Sequence, residues 1–227
     1  MSDYVYIVVP AWPYIVFGFL LGTIPFGLIV SRVFFRRDLR AAGSGNIGAA
    51  NALRTLGRTG GLTVLLLDAL KGTVAVLATA NHLFVTMPPD LARLAPHAHV
   101  SVSSTAFAPL AGLAAIVGHC YSPWLRFRGG KGVATFLGAA FALSWESGLA
   151  FVLVWLACVV PTGWSSLGSM LGAVVAAAVI AFETRNDIGS RAVVFALLSV
   201  AIIVWRHRDN IERLLHGSES RLSLLRR

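Results

Sequence analysis

Four stretches of this chain combine glycine, hydroxyl, amide and cationic side chains at spacings that suit an anionic ligand. They are GSGNIGAANALRTLGRTGG at 43–61, GHCYSPWLRFRGGKGVAT at 118–135, TGWSSLGS at 162–169 and RHRDNIERL at 206–214. Glycines opening a helix let phosphate oxygens approach free backbone N–H groups, where the helix dipole also favours negative charge. Lysine and arginine add charge-assisted hydrogen bonds. On this chemistry the candidate ligand-binding residues are Gly43, Gly45, Asn46, Gly129, Gly130, Gly132, Ser166 and Ser169. Ser44, Arg54, Lys131, His207 and Asn210 are the candidates for acting on the bound group.

Each has a plainer structural reading beside it. Ser44 and Asn46 are residue types that cap helices. Arg54, two helical turns past Asn46, is spaced to face the same site, yet such arginines usually anchor to the inner leaflet. Arg36, Arg37 and Arg40 are assigned to that anchoring role. Lys131, flanked by Gly130 and Gly132, has the stronger case for ligand contact, because an anchor needs no glycines around it. Asp68 and Lys71 are three apart on one helix face and read as a buried structural pair that helps shape the site. His119 fits a packing role. His207 and Asn210 share a helix face that is otherwise solvated, and Ser166 and Ser169 share one that also suits helix packing.

Two nucleotide motifs are matched only in part. Gly43, Gly45 and Gly48 fit the dinucleotide pattern G-x-G-x-x-G, and Asp68 stands where a ribose-binding acid is sought. That pattern requires a buried strand before it. Here FFRRDLRAA precedes it, and Asp68 lies within the apolar TVLLLDALKG. FRGGKGVAT fails the phosphate-loop pattern, because Gly132 follows Lys131 and Leu125 stands where glycine is required. No Ser-His-Asp set, no H-x-x-x-x-D pair and no cysteine beside a base is evident. The chemistry expected is positioning and charge stabilisation without a covalent intermediate. The acids form no ligand cluster, so neither metal nor cofactor is expected.

The elements that must carry these residues are membrane helices. Of 227 residues, 56% are hydrophobic and 13% charged, and the mean hydropathy is +0.75. Soluble domains carry roughly a quarter charged residues. The formal charge of +9 points to lipid or an anionic substrate, since no soluble basic domain suited to nucleic acid is present. Cys120 and Cys158 lie in apolar surroundings and read as packed thiols. MSDYVYIVVPAWP lacks a basic start, which suits an uncleaved first span.

Apolar runs lie at about 5–30, 60–80, 105–121, 132–144, 148–161, 166–182 and 190–205. Residues 132–161 read as one long helix or as two broken at SWES (144–147). Charge decides for two. With seven spans and the N-terminus outside, 15 of the 19 Lys and Arg residues face inward, as the positive-inside rule requires. The expected fold is one all-α integral membrane domain over 1–227, a bundle of about seven transmembrane helices with a cytoplasmic C-terminus. The outer loop 83–104 is expected to be irregular.

GSGNIGAAN, GHCYSPWLRFRGGKGVAT, SSLGS and RHRDNIERLL, in that order on these spans, resemble the acyl-phosphate:glycerol-3-phosphate acyltransferase family of bacteria (the PlsY family) over nearly the whole chain. GGKGVAT after its GH start is the most specific part. The resemblance implies an inner-membrane enzyme with its site facing the cytoplasm. It would make lysophosphatidic acid from acyl phosphate and glycerol 3-phosphate, the first step of phospholipid synthesis, among membrane lipids and beside an acyl-phosphate-producing enzyme. By motif it implies Ser44, Asn46, Arg54, Lys131, Ser166, His207 and Asn210 as functional residues. Arg54 and Lys131 would hold phosphate; Ser44, Ser166, His207 and Asn210 would orient the reacting groups. Two positions depart from the pattern. Ala50 stands where the family often has Thr, and Arg128 where lysine is common. A transporter or channel for a phosphorylated solute is the rival reading. It would spread polar groups across the membrane depth, often in an inverted repeat, whereas here they gather on one side. A non-catalytic lipid-binding scaffold would not require GGKG at a helix start.

Overall fold

The computed structural model describes residues 4–7, 11–81, 99–102, 106–186 and 190–222. Helices dominate them. The run at 5–30 does not form one helix. It opens with a strand, β1 (Tyr4–Ile7), followed by α1 (Trp12–Thr23) and α2 (Phe26–Phe35). Pro25 causes the break: it has no N–H to donate and disfavours helical geometry in Ile24, which sits extended at φ −63° and ψ 117°. β1 pairs in parallel with β2 (His99–Val102), Tyr4 opposite His99. This strand pair departs from the all-helical expectation and from the irregular loop expected at 83–104. Val and Ile in β1 and two Val in β2 favour the extended form. The rest of 83–104 lies outside the described residues.

α3 (Ala49–Ala80) is longer than the apolar run at 60–80 that announced it. It starts inside the first glycine cluster, and Gly57 interrupts it at φ 80° and ψ −171°, a backbone only glycine adopts freely. α4 (Ala108–Cys120) leads to the second cluster. α5 (Val133–Leu143) and α6 (Trp145–Thr162) are separate helices. Ser144 divides them: it ends α5 in an extended conformation, and its hydroxyl caps α6 by accepting from the Ser147 N–H at 3.0 Å. α6 ends at Gly163 with φ 77°, and α7 (Ser165–Glu183) starts directly after. α8 (Arg191–Arg206) and the short α9 (Arg208–Leu215) complete the helices.

The helices pack as neighbouring pairs, α1 on α4, α3 on α5 and α6 on α7. Small residues allow close contact, as membrane helices require. A Cβ at Gly72 would sit 2.0 Å from the Thr135 carbonyl oxygen, and one at Gly138 would sit 1.9 Å from that of Ala69. Leu66, Val160, Phe182 and Leu197 point outward. Trp12–Phe35, Ala49–Ala80, Trp145–Thr162 and Ser165–Glu183 are each long and apolar enough to cross a membrane.

Candidate functional site

The loop before α3 is built around Asn51. Its side-chain amide donates to the carbonyls of Leu39 (3.0 Å), Ala42 (3.0 Å) and Asn46 (2.7 Å), and its Oδ1 accepts from the Ser44 N–H at 2.9 Å. Gly43 has φ +59°, and a Cβ there would fall 2.1 Å from Asn51 Oδ1. Asn46 Oδ1 accepts from the Gly48 N–H, so Asn46 folds the loop and does not cap α3. The glycines thus serve loop geometry, and the N–H groups of Ser44, Gly45 and Gly48 are taken by the loop itself. The first intrahelical acceptor is Gly48, bonded by Asn51 and Ala52, which leaves the amides of Ala49 and Ala50 ahead of the ladder at the N-terminus of α3.

The second cluster is held from both sides. The Gly129 and Gly130 N–H groups donate to the carbonyls of Cys120 and His119 at 3.1 and 3.0 Å. Their own carbonyls accept from Arg206, at 2.8 Å for Gly129 and 3.0 Å for Gly130. Gly132 caps α5 at φ +82°. Between them Lys131 extends to α9, where its ammonium donates to Asn210 Oδ1.

Glu219, which the sequence reading passed over, joins the remaining motifs. The chain turns after α9 at Gly217 (φ 67°) and runs back, with the Leu222 N–H bonded to the Gly163 carbonyl at 2.7 Å. This places the Glu219 carboxylate, 2% exposed, to accept from Ser166 Oγ (2.7 Å), Asn210 Nδ2 (2.6 Å) and Arg213 Nε (2.8 Å). The only sequence signal was one acid after α9 in an otherwise basic tail. Burial pushes Glu219 up, but these three donors outweigh it and hold its carboxyl below the usual range. His207 links α8 to α9. Its Nδ1 lies 2.8 Å from the Ile203 carbonyl, which can only accept, so Nδ1 carries the proton and neutral Nε2 is an acceptor.

These elements enclose a cavity of about 390 Å³. Of the expected residues it is lined by Ser44, Asn46, Arg54, Lys131, Gly132, Ser166, Ser169, His207 and Asn210. Gly43, Gly45, Gly129 and Gly130 are not on its wall, because they shape the two loops behind it. The Ser169 hydroxyl lines the cavity but bonds to the Ser165 carbonyl of its own helix at 2.7 Å. Arg58 and Arg213 add cations to the wall. Arg54 bonds the Ser220 carbonyl through Nη2 at 3.2 Å, while its buried Nε has no hydrogen-bond partner among the described residues. Asn51, Asp68, His119 and Glu219 also border the cavity, and most of the remaining wall is apolar, with Leu53, Leu62, Leu137, Phe151, Trp155 and Leu156. One compartment therefore offers cations to phosphate and hydrocarbon to an alkyl chain. Among the described residues no three His, Cys, Asp or Glu side chains cluster to hold a metal.

Residues 12–217 match the family model for glycerol-3-phosphate acyltransferase. A glycerol-3-phosphate acyltransferase of Zymomonas mobilis is 42% identical over 212 residues, covering 90% of this chain and 92% of that one. One of Roseobacter denitrificans is 44% identical over 207 residues, covering 91% and 92%. The crystal structure of PlsY (YgiH), an integral membrane glycerol 3-phosphate acyltransferase, in its glycerol 3-phosphate form superposes with a TM-score of 0.78 at 34% identity, covering 95% of this chain and 96% of that one. Its lysophosphatidic acid form superposes at 0.75.

Proposed function

The chain belongs to the glycerol-3-phosphate acyltransferase family, and on that premise we propose that its acyl donor is a fatty acyl phosphate and its product 1-acylglycerol 3-phosphate. The observation that carries this reading is the cavity itself. Arg54, Lys131 and Arg213 line it close enough for their charges to interact, with Glu219 as a counter-charge among them. That excess suits two phosphate-bearing substrates at once.

The step forms an ester bond between the glycerol 1-oxygen and the acyl carbonyl carbon and breaks the bond from that carbon to the phosphate oxygen. The departing phosphate accepts the hydroxyl proton, so no protein base is required. Lys131, Arg54 and the Ala49–Ala50 amides stabilise the phosphate charge. Neutral His207 offers Nε2 to the attacking hydroxyl, and Ser44, Asn46, Ser166 and Asn210 orient the reacting groups. Gly132 gives Lys131 its place at the start of α5. The acyl chain lies along Leu53, Leu62 and Leu156 and enters from the lipid.

In the cell the protein crosses the inner membrane seven times with its N-terminus outside. The site then faces the cytoplasm, and the lysophosphatidic acid it makes feeds phospholipid synthesis. The distribution of arginine supports this orientation. A separate enzyme must supply the labile donor. Donor identity is tested by supplying the purified protein with labelled glycerol 3-phosphate and palmitoyl phosphate, palmitoyl-CoA or palmitoylated carrier protein. Turnover with palmitoyl phosphate alone supports the reading; turnover with a thioester and none with palmitoyl phosphate overturns it.

A further inference from the structure

Asp68, Lys71 and His119 form a buried cluster to which the chemistry above gives no role, although Asp68 and His119 border the cavity. Lys71 Nζ lies 2.8 Å from Asp68 Oδ1, 2.8 Å from His119 Nδ1 and 3.1 Å from the Ile24 carbonyl. All three side chains are 4% exposed or less. A lysine in an apolar span needs a partner. Asp68, three residues back on the same helix, already supplies one. The contact to His119 is therefore additional, and it reaches out of α3 to the end of α4.

From there the connection runs to the GGK loop. An ammonium only donates, so His119 Nδ1 accepts from Lys71 and neutral His119 carries its proton on Nε2. The Nε2 edge lies against Gly130: a Cβ at that position would be 2.0 Å from it. The His119 carbonyl also accepts the Gly130 N–H. The ring is thus gripped by Lys71 on one edge and closes on the loop with the other. Arg206 fixes the opposite side through the Gly129 and Gly130 carbonyls and stacks over Tyr121 at 5.4 Å. Lys131 is the next residue.

We infer that Asp68, Lys71 and His119 are positioning residues that hold the Gly129–Gly130 loop, and through it Lys131, in register with the cavity; this rests on the role given to Lys131 above. The cluster does for the loop what a second layer of hydrogen bonds does for any preorganised site. Gly130 is glycine because the imidazole occupies the space of its side chain.

The test is a mutant cycle on the purified full-length protein with His119→Ala, His119→Asn, Gly130→Ala and the two doubles. Acyl transfer per folded molecule, thermal unfolding and amide hydrogen exchange across 126–133 are measured for each. His119→Ala and Gly130→Ala each lower kcat about tenfold to a hundredfold, the cost of a misplaced catalytic group, while the folded fraction stays near that of the parent. Exchange at Gly130 accelerates in His119→Ala. Asn keeps an acceptor for Lys71 with less bulk, so His119→Asn retains more activity than His119→Ala. In the Asn background Gly130→Ala is tolerated better than alone, an outcome that does not depend on His119→Ala folding. Multiplicative losses in the doubles, or unchanged exchange with parental kcat in His119→Ala, overturn the inference. If the parent protein shows no acyl transfer, the catalytic reading has failed, and exchange at Gly130 still decides whether His119 holds the loop.

Discussion

The Lys131 ammonium donates to Asn210 Oδ1, joining the start of α5 to α9 across 79 residues of chain. Asn210 passes the connection on, because its amide nitrogen donates to Glu219 at 2.6 Å. The Lys131 ammonium is therefore placed by the same polar chain that fixes Ser166 and Arg213.

Lys131→Ala should lower kcat about 10²- to 10³-fold, the scale for losing one preorganised charge-stabilising donor. Lys131→Arg should also be impaired, because a planar fork does not replace a compact ammonium in a buried site. Acyl transfer is measured beside circular dichroism of the same preparations. Near-parental turnover in Lys131→Ala contradicts the role given to it.

Glu219→Ala should destabilise the fold as well as the site. It strands the buried Ser166 and Asn210 donors, each stranded buried group costing about 1–3 kcal/mol, and leaves the partly exposed Arg213 to water. The midpoint of thermal unfolding in detergent reports this. An unchanged midpoint means that the tail does not pin Ser166, Asn210 and Arg213.

Asn51→Leu should disturb the first loop without touching the cavity's cations. It leaves the Leu39 and Asn46 carbonyls and the Ser44 N–H without their partner, and a stranded group costs about 1–3 kcal/mol where it is buried, as at Leu39. Limited proteolysis near residues 39–48 should become faster than in the parent. Parental resistance contradicts the account of Asn51 as the loop's centre.

The pH profile should have two limbs. Burial lowers Lys131 from the usual 10.5 to about 8 against the opposing pull of Glu219, and burial followed by the Lys131 charge lowers His207 from 6.5 to about 4. Catalysis that needs charged Lys131 and neutral His207 should fall above about pH 8 and below about pH 4. Stability runs differently. Both groups bind protons more weakly when folded, so the unfolded chain holds the extra proton from about pH 4 to 6.5 for His207 and from about pH 8 to 10.5 for Lys131. Stability should rise with pH through each window. A turnover profile flat from pH 7 to 10 is incompatible with this Lys131.

Much of this site was legible because its residue types carry their own reasons. Lys131 at a helix start, Arg54 two turns past Asn46, and His207 three before Asn210 were all read from spacing, and all line the cavity. The break at Ser144 was legible from charge balance. Gly43, Gly45, Gly129 and Gly130 were read as a phosphate cradle, but Gly43 faces Asn51, Gly129 and Gly130 face His119, partners that only folding reveals, and Gly45 faces the Arg40 carbonyl. Glu219 was missed for the same reason: an acid in a basic tail has no local pattern, and its meaning comes from the turn at Gly217. The break at Pro25 within the first apolar run was a local signal left unused, because hydropathy is blind to a missing N–H.

The most direct test of the central claim is the stoichiometry of one reaction. Purified protein in detergent receives palmitoyl phosphate and glycerol 3-phosphate, and lysophosphatidic acid and inorganic phosphate are measured together over time. The account predicts equal amounts of both, dependent on glycerol 3-phosphate and nearly abolished by Lys131→Ala. Phosphate release without lysophosphatidic acid, or no reaction in protein shown to be folded, would contradict it.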